Sequence, residues 1–136
     1  MPEPLLFRLT AVLLLAVCFS PASAQTHGDS KSIRDGVYTA VQAERGAELS
    51  KDMCANCHPN DWFTGTFLKS WSGARLDALY ELIRTTMPQD RPGALTREQY
   101  ADILAYVFEL NGVPPGEQEL SAKKETLASI IIDWKQ

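Results

Sequence analysis

The chain predicts an all-α domain of about three main helices with a C-terminal extension, and three observations carry that expectation. Apolar residues recur at i, i+3, i+4, i+7 in Leu76, Leu79, Tyr80 and Ile83, and again through Tyr100, Ile103, Leu104, Val107 and Phe108. Thr39 with Gln42, and Thr96 with Gln99, have the spacing of a capping box at the head of a helix. Stop signals follow in the right places, with Pro88 after Met87 and Asn111-Gly112 after the last apolar stripe.

Taken in order, Leu9 to Phe19 is an apolar run preceded by Arg8 and the free amine and followed by Pro21-Ala22-Ser23-Ala24. Residues 1–24 therefore read as a secretory signal cleaved after Ala24. The run is short for a bilayer span and no later segment is longer, so the mature chain is expected to be exported without a transmembrane segment. Cys18 lies inside the signal and raises the alternative of a lipid anchor. Val17 stands before it, where such processing sites have a small residue, so ordinary cleavage is favoured. Residues 25–35 are polar and aperiodic, a flexible leader.

Val37, Val41, Leu49 and Met53 can share one side of the first helix. Gly46 interrupts that helix at a cost of about 1 kcal/mol relative to Ala, which suggests a close helix crossing. Pro59 to Trp71 has the composition of a loop that packs aromatics against something flat. Ser72 can cap the next helix, which Pro88 ends, so that Met87 sits in a turn and not on a helix face. The helix after Thr96 is the strongest in the chain. Beyond Pro114-Pro115-Gly116, residues 117–136 form an extension: a short helix around Lys123 to Leu127, then Ile130-Ile131-Ile132 with Trp134 as a clasp, helix or strand. No internal repeat or second domain is visible.

The formal charge is −4, with 13 Lys and Arg against 17 Asp and Glu. Loss of Glu3 and Arg8 with the signal leaves it unchanged, which argues against a nucleic-acid partner.

The chemistry concentrates in Cys54-Ala55-Asn56-Cys57-His58. Two thiols three residues apart with an imidazole after them make a covalent haem c attachment site. The cysteines can add to the two vinyl groups on one porphyrin edge, leaving His58 under the iron as proximal ligand. A thioredoxin-like reading is weak because a helix, not a strand, leads into the motif. Zinc is short of ligands, since His27 is the only other histidine. A plain disulfide in an oxidising compartment is the bland alternative. Haem also supplies the flat surface for the aromatic loop, and its two ionised propionates take the mature charge to about −6.

After signal removal the methionines are Met53 and Met87. Met53 adjoins the attachment cysteine, so Met87 is the candidate distal ligand. A thioether favours Fe(II), and filling both axial positions suggests electron transfer over substrate binding. Met87 as mere core filler is the competing reading.

A helix leading into C-x-x-C-H, Met-Pro in a loop, and a final helix containing Asp102-Ile103-Leu104-Ala105-Tyr106 and closing in Asn-Gly resemble a class I cytochrome c over residues 36–116. Asp35-Gly36-Val37-Tyr38-Thr39, Met87-Pro88 with Pro92-Gly93-Ala94-Leu95, and Asn111-Gly112-Val113-Pro114 resemble single-haem periplasmic cytochromes associated with quinoprotein alcohol dehydrogenases. The resemblance implies thioethers at Cys54 and Cys57, iron ligands His58 and Met87, and a Gly46 notch receiving the last helix near Ala105 and Tyr106. It also implies that Trp71 supports a haem propionate, against the alternative of a packed core tryptophan; Arg75, Arg84 and Arg91 are weaker candidates for that role. Two departures stand out. Pro59 follows His58 where the family very often has Gly, and no proline lies between Pro59 and Met87 to offer the carbonyl that commonly accepts the histidine's other N–H.

The function expected is electron carriage in the periplasm between a dehydrogenase and another cytochrome or an oxidase, with no catalytic side chain. Alternatives are a haem-bearing subunit of a dehydrogenase complex, and a haem enzyme or gas sensor with an open sixth position.

Overall fold

The computed structural model describes Met1 and residues 30–134, so the expected signal and the first part of the leader lie outside the described residues. Its elements are β1 (Lys31–Ser32), α1 (Ala40–Met53), a 3₁₀ turn (Asn60–Phe63), α2 (Thr66–Ser70), α3 (Leu76–Thr86), α4 (Arg97–Leu110), α5 (Lys124–Ala128) and β2 (Ile130–Ile131). The fold is mainly helical, with α1, α3 and α4 as the long helices. No helix among the described residues is long and apolar enough to cross a membrane.

Helix α1 packs on α4 in the most extensive contact of the fold, and Gly46 is the reason it can. A Cβ at position 46 would collide with the Asp102 carbonyl oxygen and press on Cβ of Tyr106. The two backbones touch at the notch. That closeness overturns the apolar face expected for α1: the buried residues are Gln42, Ala43, Gly46 and Ser50, while Val41 is 60% exposed. Large side chains cannot enter so tight a seam, so small and hydrogen-bonded ones fill it.

Polar ties do the rest. Thr39 caps α1 by accepting from the Gln42 amide N–H. The Gln42 side chain does not return to complete a capping box; it reaches the tail, donating to the Leu120 carbonyl at 3.0 Å and accepting from the Leu120 N–H at 2.6 Å. Arg45 grips both oxygens of Asp102 on α4 at 3.0 and 3.1 Å and Glu119 at 2.8 Å. At the head of α4, the capping box of Thr96 and Gln99 is complete.

The chain ends are stitched together, which changes the picture of the leader. Lys31–Ser32 pairs in parallel with Ile130–Ile131, and Ile33 is fully buried. Residues 31–35 thus depart from the flexible leader expected there, because an apolar side chain and a strand partner from the far end of the chain anchor them. The tail packs on the domain through buried Leu120, Leu127, Ile130 and Ile132. Ile132 exchanges backbone hydrogen bonds with Gly73 and Ala74, just before α3. Helix α3 begins at Leu76, after a β-like Arg75, rather than at Ser72. Gly36 and Gly116 cross where neither tolerates a Cβ, and Gly36 holds φ +66°.

Gly46→Ala is expected to cost about 3 kcal/mol and lower Tm by about 10 °C or more, read by thermal unfolding of the mature protein. Tyr38, buried and donating to the Val113 carbonyl at 2.6 Å, has its pKa pushed up to about 12 by burial and then by the Glu109 charge. The unfolded chain ionises this phenol first, near pH 10, so its contribution to stability is complete below pH 10 and is lost as pH rises towards 12. Denaturant titrations across that window should fall steeply for the native chain and less steeply for Tyr38→Phe.

Candidate haem site

The C-terminus of α1 delivers the attachment motif. Cys54 caps the helix with its N–H on the Ser50 carbonyl, and the N–H groups of Cys57 and His58 both turn back to the Cys54 carbonyl at 3.0 and 2.8 Å. The tight turn gathers both thiols and the imidazole at one helix end. Both cysteines are free thiols, Cys54 half-buried and Cys57 exposed. Burial pushes the Cys54 thiol up, and a hydrogen bond with Ser50 partly offsets it.

These residues open onto a cavity of about 960 Å³ that Met53, Met87 and Pro88 also line. Such a volume lies at the upper end of cofactor pockets, roughly 300–1,000 Å³. One wall is aromatic: Trp62 and Phe63 from the 3₁₀ turn and Phe67 from α2. Their rings pack mutually, Trp62–Phe63 at 5.2 Å and 86°, Phe63–Phe67 at 5.9 Å and 90°, and Trp62–Phe67 at 5.0 Å and 40°. Edge-to-face pairs of this kind contribute about 0.5–1.5 kcal/mol each beyond area burial. The other walls are Leu79, Leu82 and Ile83 of α3 and Tyr100, Ile103 and Val107 of α4.

Met87 is held by its backbone. It caps α3 with its N–H on the Ile83 carbonyl at 2.8 Å, and its carbonyl accepts from the Tyr100 hydroxyl at 2.7 Å. The side chain is thereby left free to line the cavity.

Of the residues expected at the site, Cys54, Cys57, His58 and Met87 meet in this cavity. Trp71 does not. It follows α2, gives its N–H to the Leu68 carbonyl, and packs half-buried on the hydrophobic core away from the lining. Arg75, Arg84 and Arg91 also stand outside the lining, engaged by Asp77, Glu81 and Asp90.

Three residues acquire roles that sequence reasoning missed. Asn111 ends α4 and also fastens the aromatic wall, donating to the Phe63 carbonyl at 2.9 Å and accepting from the Gly65 N–H at 2.8 Å. Tyr100 pins Met87. Trp62 lies against His58 with ring centroids 4.4 Å apart. Only the aromatic composition of the loop hinted at the last.

The donor set fits haem c: two thiols at the rim for vinyl addition, an imidazole, a thioether, and walls that are almost wholly apolar. Nδ1 of His58 is buried without a hydrogen-bond partner among the described residues. Those residues hold no cluster of three or more His, Cys, Asp or Glu that could bind a metal ion.

Residues 41–107 match the family model of subunit III of the cbb3-type cytochrome c oxidase. This chain contains a cytochrome c domain. The match runs from α1 through the attachment motif and Met87 into α4, and the helical fold around it is that of a class I cytochrome c. Neither the curated proteins nor the solved structures include a significant match to the chain.

Within the cytochrome c domain, Tyr100→Phe removes the hydroxyl that anchors the Met87 carbonyl. It should destabilise the protein by about 1 kcal/mol, seen as a lower denaturation midpoint at unchanged slope.

Proposed function

We propose that the protein is a periplasmic one-electron carrier, holding one haem c through Cys54 and Cys57 with His58 and Met87 as axial ligands. It takes electrons from a dehydrogenase and passes them to another cytochrome or an oxidase. The observation that carries this reading is the convergence of both thiols, the imidazole and the thioether on one apolar cavity. Among the described residues of its lining the one carboxylate is Asp90, exposed and ion-paired with Arg91.

When bound, haem c supplies a one-electron iron couple. The chain's residues set its conditions. The thioether of Met87 is neutral and soft, which favours the reduced iron, and a second axial donor leaves no position for substrate. Trp62, Phe63 and Phe67 on one side and Leu79, Ile83 and Ile103 on the other exclude water. Cys57, Trp62 and Leu82 are exposed and line the cavity, so they mark where its contents approach the surface.

The net negative charge suits a partner with a basic patch, with electrostatics governing encounter rate more than final affinity. The resemblance to cytochromes associated with quinoprotein alcohol dehydrogenases makes such an enzyme the first donor to try. A second reading, a haem-bearing subunit of a larger oxidoreductase, is favoured by the matched family being described as an oxidase subunit.

The mature protein should show a sharp low-spin c-type spectrum when reduced, unchanged by carbon monoxide, while Met87→Ala should form a carbon monoxide adduct. An adduct in the unaltered protein points to an enzyme or sensor instead. Stopped-flow mixing with reduced donors then separates carrier from subunit, since transfer that is slow and insensitive to salt with every free donor defeats the carrier reading.

A further inference from the structure

We propose that Trp62 is a positioning residue for His58, holding the imidazole plane by ring contact where a hydrogen bond to Nδ1 ordinarily does so. The inference rests on the haem reading above and deepens it. A ligating histidine usually gives its second N–H to a carbonyl, carboxylate or water that sets its plane and raises its basicity. Here Nδ1 is buried and has no such partner among the described residues. Buried donors without acceptors are rare, and among the described residues ring contact is what His58 has in place of one.

The nearest aromatic plane is the Trp62 indole, with centroids 4.4 Å apart and 41° between planes, whereas Phe63 is at 5.8 Å and 59°. Local sequence puts it there. Pro59 has φ −62° and its carbonyl accepts the Trp62 N–H at 2.9 Å, which closes the 3₁₀ turn that folds residue 62 back over residue 58. Proline in place of the family's usual glycine fixes the φ of the residue from which the chain enters that turn. Trp62 is 49% exposed, so one side of the indole meets solvent while the other covers the imidazole.

An imidazole with no acceptor at Nδ1 donates less charge to iron than one polarised by a carbonyl, so its ligation favours Fe(II). Removing the indole lets water reach Nδ1, accept its proton in a hydrogen bond, and strengthen the ligand.

The test compares the mature haem-loaded protein with Trp62→Leu and Trp62→Phe by redox titration and by proton NMR of the His58 ring N–H. Trp62→Leu should shift the Fe(II)/Fe(III) ratio at fixed ambient potential at least tenfold towards Fe(III), which is about 59 mV for a one-electron couple. Trp62→Phe, which keeps a ring over the imidazole, should shift it less than twofold. Exchange of the ring N–H with solvent should be at least a hundredfold slower in the native protein than in Trp62→Leu. Equal shifts in the two variants, or none in Trp62→Leu, overturn the proposal. If Trp62→Leu loses its haem, the native protein and Trp62→Phe still decide: a native ring proton that exchanges as fast as free imidazole, or a tenfold shift in Trp62→Phe, overturns it. Absence of covalent haem from the native protein is a separate readout that defeats the haem reading itself.

Discussion

The contact of α1 with α4 at Gly46 is the constraint on which the rest of the site depends. It brings two helix backbones together with no side chain between them, and so allows almost no sliding or rotation of one helix over the other. The cysteines and His58 leave from the C-terminus of α1, while Tyr100, Ile103 and Val107 project from α4 into the cavity. The width of the cavity at this end is therefore set by the crossing. The same closeness denies α1 an apolar stripe, and the helix is secured instead by the hydrogen bonds of Gln42 and by Arg45 between Asp102 and Glu119.

The fold was legible in the sequence, as were the four side chains that line one cavity, because both are written locally. The attachment motif works through three positions within five residues, Met87 is isolated in a turn by the proline after it, and α4 carries both a cap and an apolar stripe. Sequence failed where the deciding contact is distant. Val41 looks like a core residue until α4 arrives at Gly46, and Gln42 looks like half of a capping box until Leu120 takes its amide. Trp71 resembles a propionate partner by position, yet α2 turns it onto the core. Ile33 reads as part of a loose leader because its strand partner comes from the other end of the chain.

The two departures from the family pattern turn out to be one local arrangement. Losing the proline carbonyl expected between Pro59 and Met87 leaves His58 without its usual acceptor, and placing a proline at position 59 opens the turn that lays Trp62 on the same ring. A polar contact that polarises the ligand is replaced by an apolar one that does not. With His58 and Met87 as the proposed axial ligands, both that exchange and the thioether would act in the direction of a stabilised reduced state.

Apart from the tail, which both share, the proximal and distal sides are braced by different contacts. His58 depends on the helix crossing and on the aromatic wall that Asn111 fastens to the end of α4. Met87 depends on α3, which packs on the tail helix α5, on α4 and on the strand β2, and Met87 itself is held by the Tyr100 hydroxyl. The tail in turn is stitched to residues 31–33 and 73–74. It is also tied to α1 directly, through Leu120 to Gln42 and Glu119 to Arg45, so the tail braces both sides of the cavity. Local opening follows the weaker set of contacts, and α3 meets α4 far less extensively than α1 does. The Met87 wall is thus joined to α4 less extensively than the wall that carries the thiols and His58, and relies on the tail for the rest of its packing.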